Sequence, residues 1–285
     1  MRNLHILWIV ASLCLSCARY DSALPSESAG QQRIVSLAPN ITEILFAVGA
    51  GGTLVGVTTY CDYPQEASRI TKIGEFTNVN MEKIVALKPD LAIGTRDGNP
   101  PEVLQGLRKL GIRVETFQPA TFEETCESIV EIGKLVGEES NARALRDRMT
   151  KNCEEVIANR PAKSPGILLL YGSEPLVAAG KGSIGDELIR LAGGKNIMAE
   201  SPGPYITTNL ENIIARNPEV IIDLSMGTEK NSREAALKKW SRWQSITAVR
   251  NGQIYVLNPD LICRPGPRIV EGLKLIAQAV RKAAQ

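Results

Sequence analysis

Asn80-Met81-Glu82-Lys83-Ile84-Val85-Ala86-Leu87-Lys88-Pro89-Asp90-Leu91-Ala92-Ile93 returns later as Asn209-Leu210-Glu211-Asn212-Ile213-Ile214-Ala215-Arg216-Asn217-Pro218-Glu219-Val220-Ile221-Ile222. The shared pattern is N-[ML]-E-x-I-[IV]-A-x-[KN]-P-[DE]-[LV]-x-I, without a gap. Each copy reads as a short helix, a proline turn and a buried strand. Asn is a favoured N-cap, and a first-turn Glu suits the helix dipole. Pro ends the helix, and the apolar run after it continues as a strand. Further on, Gly111 to Phe117 and Gly252 to Leu257 both read as short strands after a helix. Strand and helix thus alternate in both halves, which favours parallel or mixed sheets flanked by helices.

The repeat predicts an α/β protein of two similar Rossmann-like lobes, residues 33–137 and 161–285. Between them, Ala142, Leu145, Met149, Cys153 and Val156 recur at spacings of three and four. That spacing predicts one amphipathic helix over 138–160, stopped by Pro161 and roughly 30 Å long. Two lobes joined by one stiff helix leave a cleft between them, a preferred place for a ligand.

The 285 residues carry 33 basic and 31 acidic side chains, and 22% of them are charged. Nothing here suggests a polybasic surface, so nucleic acid is not an expected partner. The chain holds one histidine, His5. Arg2 followed by the mostly apolar run Leu4 to Ser16 has the length of a signal peptide and is too short to span a membrane. Residues 1–17 are therefore read as a signal peptide and 18–32 as a polar tether. Leu15-Ser16-Cys17 resembles a bacterial lipoprotein processing site, with Cys17 lipidated, although Cys14 stands where Leu is usual. Simple cleavage is the alternative. Either route predicts export and removes His5, leaving no histidine for a Ser-His-Asp triad or a His-ligated metal. Cys61, Cys126, Cys153 and Cys263 form no C-x-x-C pair, and their pairing stays open.

Arg33 to Glu43 resembles the first strand and turn of the helical-backbone metal-receptor proteins, the class III substrate-binding proteins of ABC importers. Val57 to Pro64, the Asn-Met-Glu repeat, Ala179-Gly180-Lys181-Gly182-Ser183 and Arg264-Pro265-Gly266-Pro267-Arg268 resemble their cobalamin-binding branch. The resemblance runs through nearly all of the chain after residue 32. It implies a monomer without catalysis that holds cobalamin or a related corrinoid between its lobes. It also implies partners: a permease dimer with its ATPase subunits. Haem or ferric-siderophore binding is the sibling reading.

By this resemblance the ligand contacts are Pro39, Tyr60, Asp62, Tyr63, Phe76 and Arg96 in the first lobe, and Tyr171, Tyr205, Arg264 and Arg268 in the second. Tyrosine faces with polar edges suit a flat macrocycle, and the arginines suit an amide, a phosphate or a propionate. Thr95 stands where the cobalamin pattern carries Trp. Glu82 and Glu211, equivalent in the repeat, are expected to dock on the two permease subunits, as well as stabilising their own helices. Trp240 and Trp243, three apart, read as core. Gly180-x-Gly-x-x-Gly185 imitates a dinucleotide loop, but no complementary nucleotide-binding half exists. Its glycines are expected to bring backbone close to the cleft ligand and to start a helix at Ser183 or Asp186. An exported hydrolase drawing on Asp62, Glu75 or Glu43, or a surface adhesion module, are the readings from other classes.

Overall fold

The computed structural model describes residues 32–225 and 232–285. The signal-peptide, tether and Cys17 expectations fall in a stretch, 1–31, that lies outside the described residues.

The first half runs β1 (Ile34–Ser36), α1 (Pro39–Ala47), β2 (Leu54–Val57), α2 (Met81–Ala86), β3 (Leu91–Thr95), α3 (Pro101–Lys109), β4 (Arg113–Phe117) and α4 (Phe122–Leu135). Its four strands lie in the order β2-β1-β3-β4, and every pairing is parallel. Helix α5 (Glu139–Ala158) follows, and its buried residues are Ala142, Leu145, Met149, Cys153 and Val156, the five that set its period. The second half runs β5 (Gly166–Ser173), β6 (Leu176–Ala179), α6 (Ile184–Leu191), β7 (Lys195–Asn196), β8 (Tyr205–Thr207), α7 (Leu210–Arg216), β9 (Val220–Asp223), α8 (Ser232–Trp240), α9 (Thr247–Arg250), β10 (Ile254–Val256), α10 (Asp260–Cys263) and α11 (Ile269–Ala283). Its sheet order is β10-β9-β5-β6-β8, with β7 beside the start of β5. Strands β6 and β8 run antiparallel, so this lobe is mixed where the first is wholly parallel.

The repeat folds the same way twice. Asn80 Oδ1 accepts from the Lys83 amide at 2.9 Å, and Asn209 Oδ1 accepts from the Asn212 amide at 2.9 Å. Each cap satisfies one of the amides a helix start leaves free. The residue before each proline, Lys88 or Asn217, turns left-handed at φ 47° and 44°. That turn ends the helix and redirects the chain into β3 or β9. Strand segments buried on both faces, such as Leu91–Thr95 and Val220–Asp223, are the near-continuous apolar runs expected of covered parallel sheets.

Residues 32–285 form one compact unit. One apolar cluster runs through α1, α4, α5, α6 and α11 and joins the two halves. Trp240 is buried and meets Trp243 edge to face, centroids 5.6 Å apart, as core residues do. No helix among the described residues is long and apolar enough to cross a membrane. Cys61, Cys126 and Cys153 are buried, Cys263 is exposed, and all four are free thiols.

Candidate ligand-binding cleft

Strand order reverses about β1, with β2 on one side and β3 on the other, and this is where open parallel sheets place ligands. A cavity of about 440 Å³ lies there. The segments after all four strands contribute: Pro39 and Asn40 at the start of α1 after β1, Tyr60 after β2, Asp97 and Gly98 after β3, and Pro119 after β4. Glu75, Phe76 and Thr77 join them from the long loop before α2, and Cys263, Arg264 and Pro265 close the cavity from the second lobe. A larger cavity, about 920 Å³, opens among Gly166, Lys195 and Glu219 at the amino ends of β5 and β9, and strand-end chemistry gives it no comparable role.

Asn99 organises the first-lobe wall. Its Oδ1 accepts from the Thr95 amide at 2.8 Å, and its Nδ2 donates to the carbonyls of Leu37 (2.9 Å) and Phe76 (3.0 Å). One buried side chain thus fixes the ends of β1 and β3 and the Phe76 loop together. The tip of the Phe76 ring packs against Gly98, where a Cβ would come within 1.6 Å of the ring. Thr95 Oγ1 is buried with no hydrogen-bond partner.

Tyr60 is 53% exposed and Tyr205 63% exposed. Tyr205 meets Tyr171 edge to face at 5.3 Å. Tyr171 itself is a support: its hydroxyl accepts from the Gly185 amide at 3.2 Å, and burial raises its pKa. Partial burial also raises the Tyr205 hydroxyl, and the charges of Cys263 and Asp97 add to the rise. The Cys263 residue lines the cavity, and partial desolvation of its sulfur, with Asp260 nearby, pushes the thiol up to about 11, so it is a neutral thiol near neutral pH. Cys61 is not in the cleft: Thr42 Oγ1 donates to its sulfur at 3.1 Å inside the core.

The arginines correct the sequence reading. Arg268 does not face the cavity. It grips Glu43 of α1 with two bonds, at 2.8 and 2.5 Å, and stacks 4.0 Å over the ring of Tyr63. Arg264 does line the cavity, but it is held by Asp62 at 2.8 Å, Asp260 at 3.0 Å and Glu43 at 3.3 Å. Asn40 Nδ2 donates to the Pro265 carbonyl at 3.3 Å. The Arg-Pro-Gly-Pro-Arg stretch is therefore a clasp between the lobes. Asp62 and Tyr63 belong to that clasp, and Arg96 faces a separate cavity beside Phe117 and Gln118. Burial works to raise the Asp62 pKa, but the hydrogen bond and charge of Arg264 outweigh it and hold the carboxyl below its usual range. These partners lie some two hundred residues apart in sequence, so only the fold reveals them.

The glycine loop is also corrected. Ser183 caps α6 by accepting from the Asp186 amide at 3.1 Å, as expected. The glycines, however, serve protein contacts: a Cβ on Gly180 would meet the Gly203 carbonyl at 2.2 Å, and one on Gly185 would meet the Tyr171 hydroxyl at 2.5 Å. No group of three or more His, Cys, Asp or Glu that could hold a metal ion occurs among the described residues.

A family model described as "Periplasmic binding protein" matches residues 34–261. The chain belongs to this family. The vitamin B12-binding protein of Vibrio cholerae is 31% identical over 258 residues, covering 88% of this chain and 90% of that one. An uncharacterized ABC transporter substrate-binding lipoprotein, YvrC of Bacillus subtilis, is 32% identical, covering 87% and 80%. Among solved structures, the periplasmic vitamin B12 binding protein BtuF of Vibrio cholerae matches with a TM-score of 0.75 at 31% identity, covering 88% and 97%. The periplasmic heme-binding protein RhuT from Roseiflexus sp. RS-1 matches with a TM-score of 0.79 at 29% identity, covering 90% and 100%. This periplasmic binding protein thus shares its two-lobed architecture with receptors of two macrocycle classes.

Proposed function

We propose that this chain is the exported substrate-binding protein of an ABC importer and that it captures cobalamin or a related corrinoid between its lobes. The observation that carries the reading is the cleft at the strand ends, lined by the exposed ring of Tyr60 and by Phe76. Flat aromatic faces around a wide opening suit a planar macrocycle. The vitamin B12-binding relatives support the same ligand class. The heme-binding relative supports haem as the second reading. With no histidine after residue 5, haem iron would need tyrosine or cysteine. Tyr171 is occupied as a support for α6, so haem would call on the exposed Tyr60 or Tyr205.

In this reading the partner is a permease dimer with its ATPases. Cys17 carries a lipid anchor, and Glu82 and Glu211 dock on the two permease subunits. Both glutamates lie in the first turns of repeat helices α2 and α7, one per lobe, as a two-fold partner requires. The role is capture and delivery, without catalysis.

A calorimetric titration of the chain from residue 18 with cyanocobalamin tests the ligand. Saturable 1:1 binding is expected. A folded chain that gives no heat with cyanocobalamin but binds haem would replace this reading with the second one.

A further inference from the structure

Arg264 is the one cationic side chain lining the cavity among the described residues, and its guanidinium is already engaged. The clasp sets the carboxylates of Glu43, Asp62 and Asp260 against the guanidiniums of Arg264 and Arg268. It therefore offers no surplus positive charge to a ligand. Two more carboxylates, Glu75 and Asp97, line the same cavity. Neither side chain makes an ion pair or hydrogen bond with the described residues.

An ionised carboxylate only accepts hydrogen bonds, whereas a primary amide presents two N–H donors. Amide N–H groups meeting carboxylates make charge-assisted bonds, among the stronger hydrogen bonds. A ligand carboxylate placed against the same groups offers no donor and adds like-charge repulsion. We propose that Glu75 and Asp97 determine the specificity of this cleft, accepting N–H donors from the rim of an uncharged, amide-bearing macrocycle and rejecting one whose rim carries free carboxylates. This deepens the corrinoid reading and rests on it. Amide and carboxylate have nearly the same shape, so packing cannot separate them and charge must.

The test compares cyanocobalamin with the monocarboxylates obtained by partial acid hydrolysis of its side-chain amides. Both are titrated into the chain from residue 18 and into the Glu75→Gln/Asp97→Asn variant. The original chain should prefer the amide form by on the order of ten-fold at low salt, with the preference shrinking as salt rises. The double variant should bring the ratio close to one. Glu102→Gln, on the exposed start of α3, should leave the ratio where it was. Equal affinity for the two forms in the original chain overturns the proposal. So does a ratio that survives the double substitution, or one that Glu102→Gln shifts as much. If cyanocobalamin fails to bind a chain with a cooperative unfolding transition, the corrinoid reading itself fails and this proposal falls with it.

Discussion

Glu43 is the residue on which the two halves of the molecule most directly meet. It is 3% exposed, belongs to α1, and answers two arginines from the far end of the chain. Removing one partner of a buried ion pair leaves the other charge without compensation, which commonly costs about 3–5 kcal/mol. Glu43→Ala should accordingly lower the unfolding free energy in urea by about 3 kcal/mol. A loss under about 1 kcal/mol would show that water replaces the carboxylate. Asp62 belongs to the same clasp but is exposed, and its contribution depends on acid. Arg264 holds its folded pKa below the ordinary 3.8, so the stabilisation is present above that value and is lost as pH falls through the folded pKa. The stability difference between the original chain and Asp62→Asn should be constant from pH 5 to 7 and shrink below about pH 4, as read by urea unfolding at each pH.

At the scale of the element, the repeat makes a symmetric prediction. Asn80 and Asn209 cap α2 and α7 with the same bond at the same length. Each Asn→Ala substitution should cost about 1 kcal/mol, and the two costs should match. Unequal losses in denaturant unfolding would mean that tertiary packing, not the cap, holds one of the helices. The β3–α3 loop makes a prediction about the ligand. Phe76 rests on Gly98 so closely that Gly98→Ala must displace the ring. Since Phe76 is a cleft wall, this variant should bind cyanocobalamin at least ten-fold more weakly while remaining folded. Unchanged affinity in the same calorimeter would remove Phe76 from the site.

For the whole molecule, the decisive features are one linking helix and a clasp that ties the lobes opposite each other. The Phe122 amide, at the start of α4, also donates to Glu187 of α6 at 2.6 Å, adding a further bond between halves. A frame tied this way should close little on its ligand. Small-angle scattering of the chain with and without saturating cyanocobalamin should give the same radius of gyration within error, and a clear contraction would contradict that frame. Delivery needs the outer surface instead. Glu82→Ala/Glu211→Ala should abolish cobalamin uptake by cells while leaving calorimetric affinity intact, and unaltered uptake would remove the docking assignment.

The sequence by itself determined the elements, because their signals are local. A capping asparagine, a proline nine residues after it, as in Asn209 and Pro218, and a period of three and four in α5 are all signals within a short stretch of chain. Tyr60 and Phe76 were read from their places after a strand and a turn, and both line the cavity at the strand ends. Only the tertiary structure decided what the arginines do. Nothing local to Arg264 or Arg268 points to Glu43, more than two hundred residues earlier, and an unpaired reading makes both arginines ligand contacts. The same holds for Gly180 and Gly185, which make room for Gly203 and Tyr171. Backbone propensity is written in neighbouring residues, whereas the partner of a charge or the tenant of a glycine's missing side chain is set by which distant segments the packed core brings together.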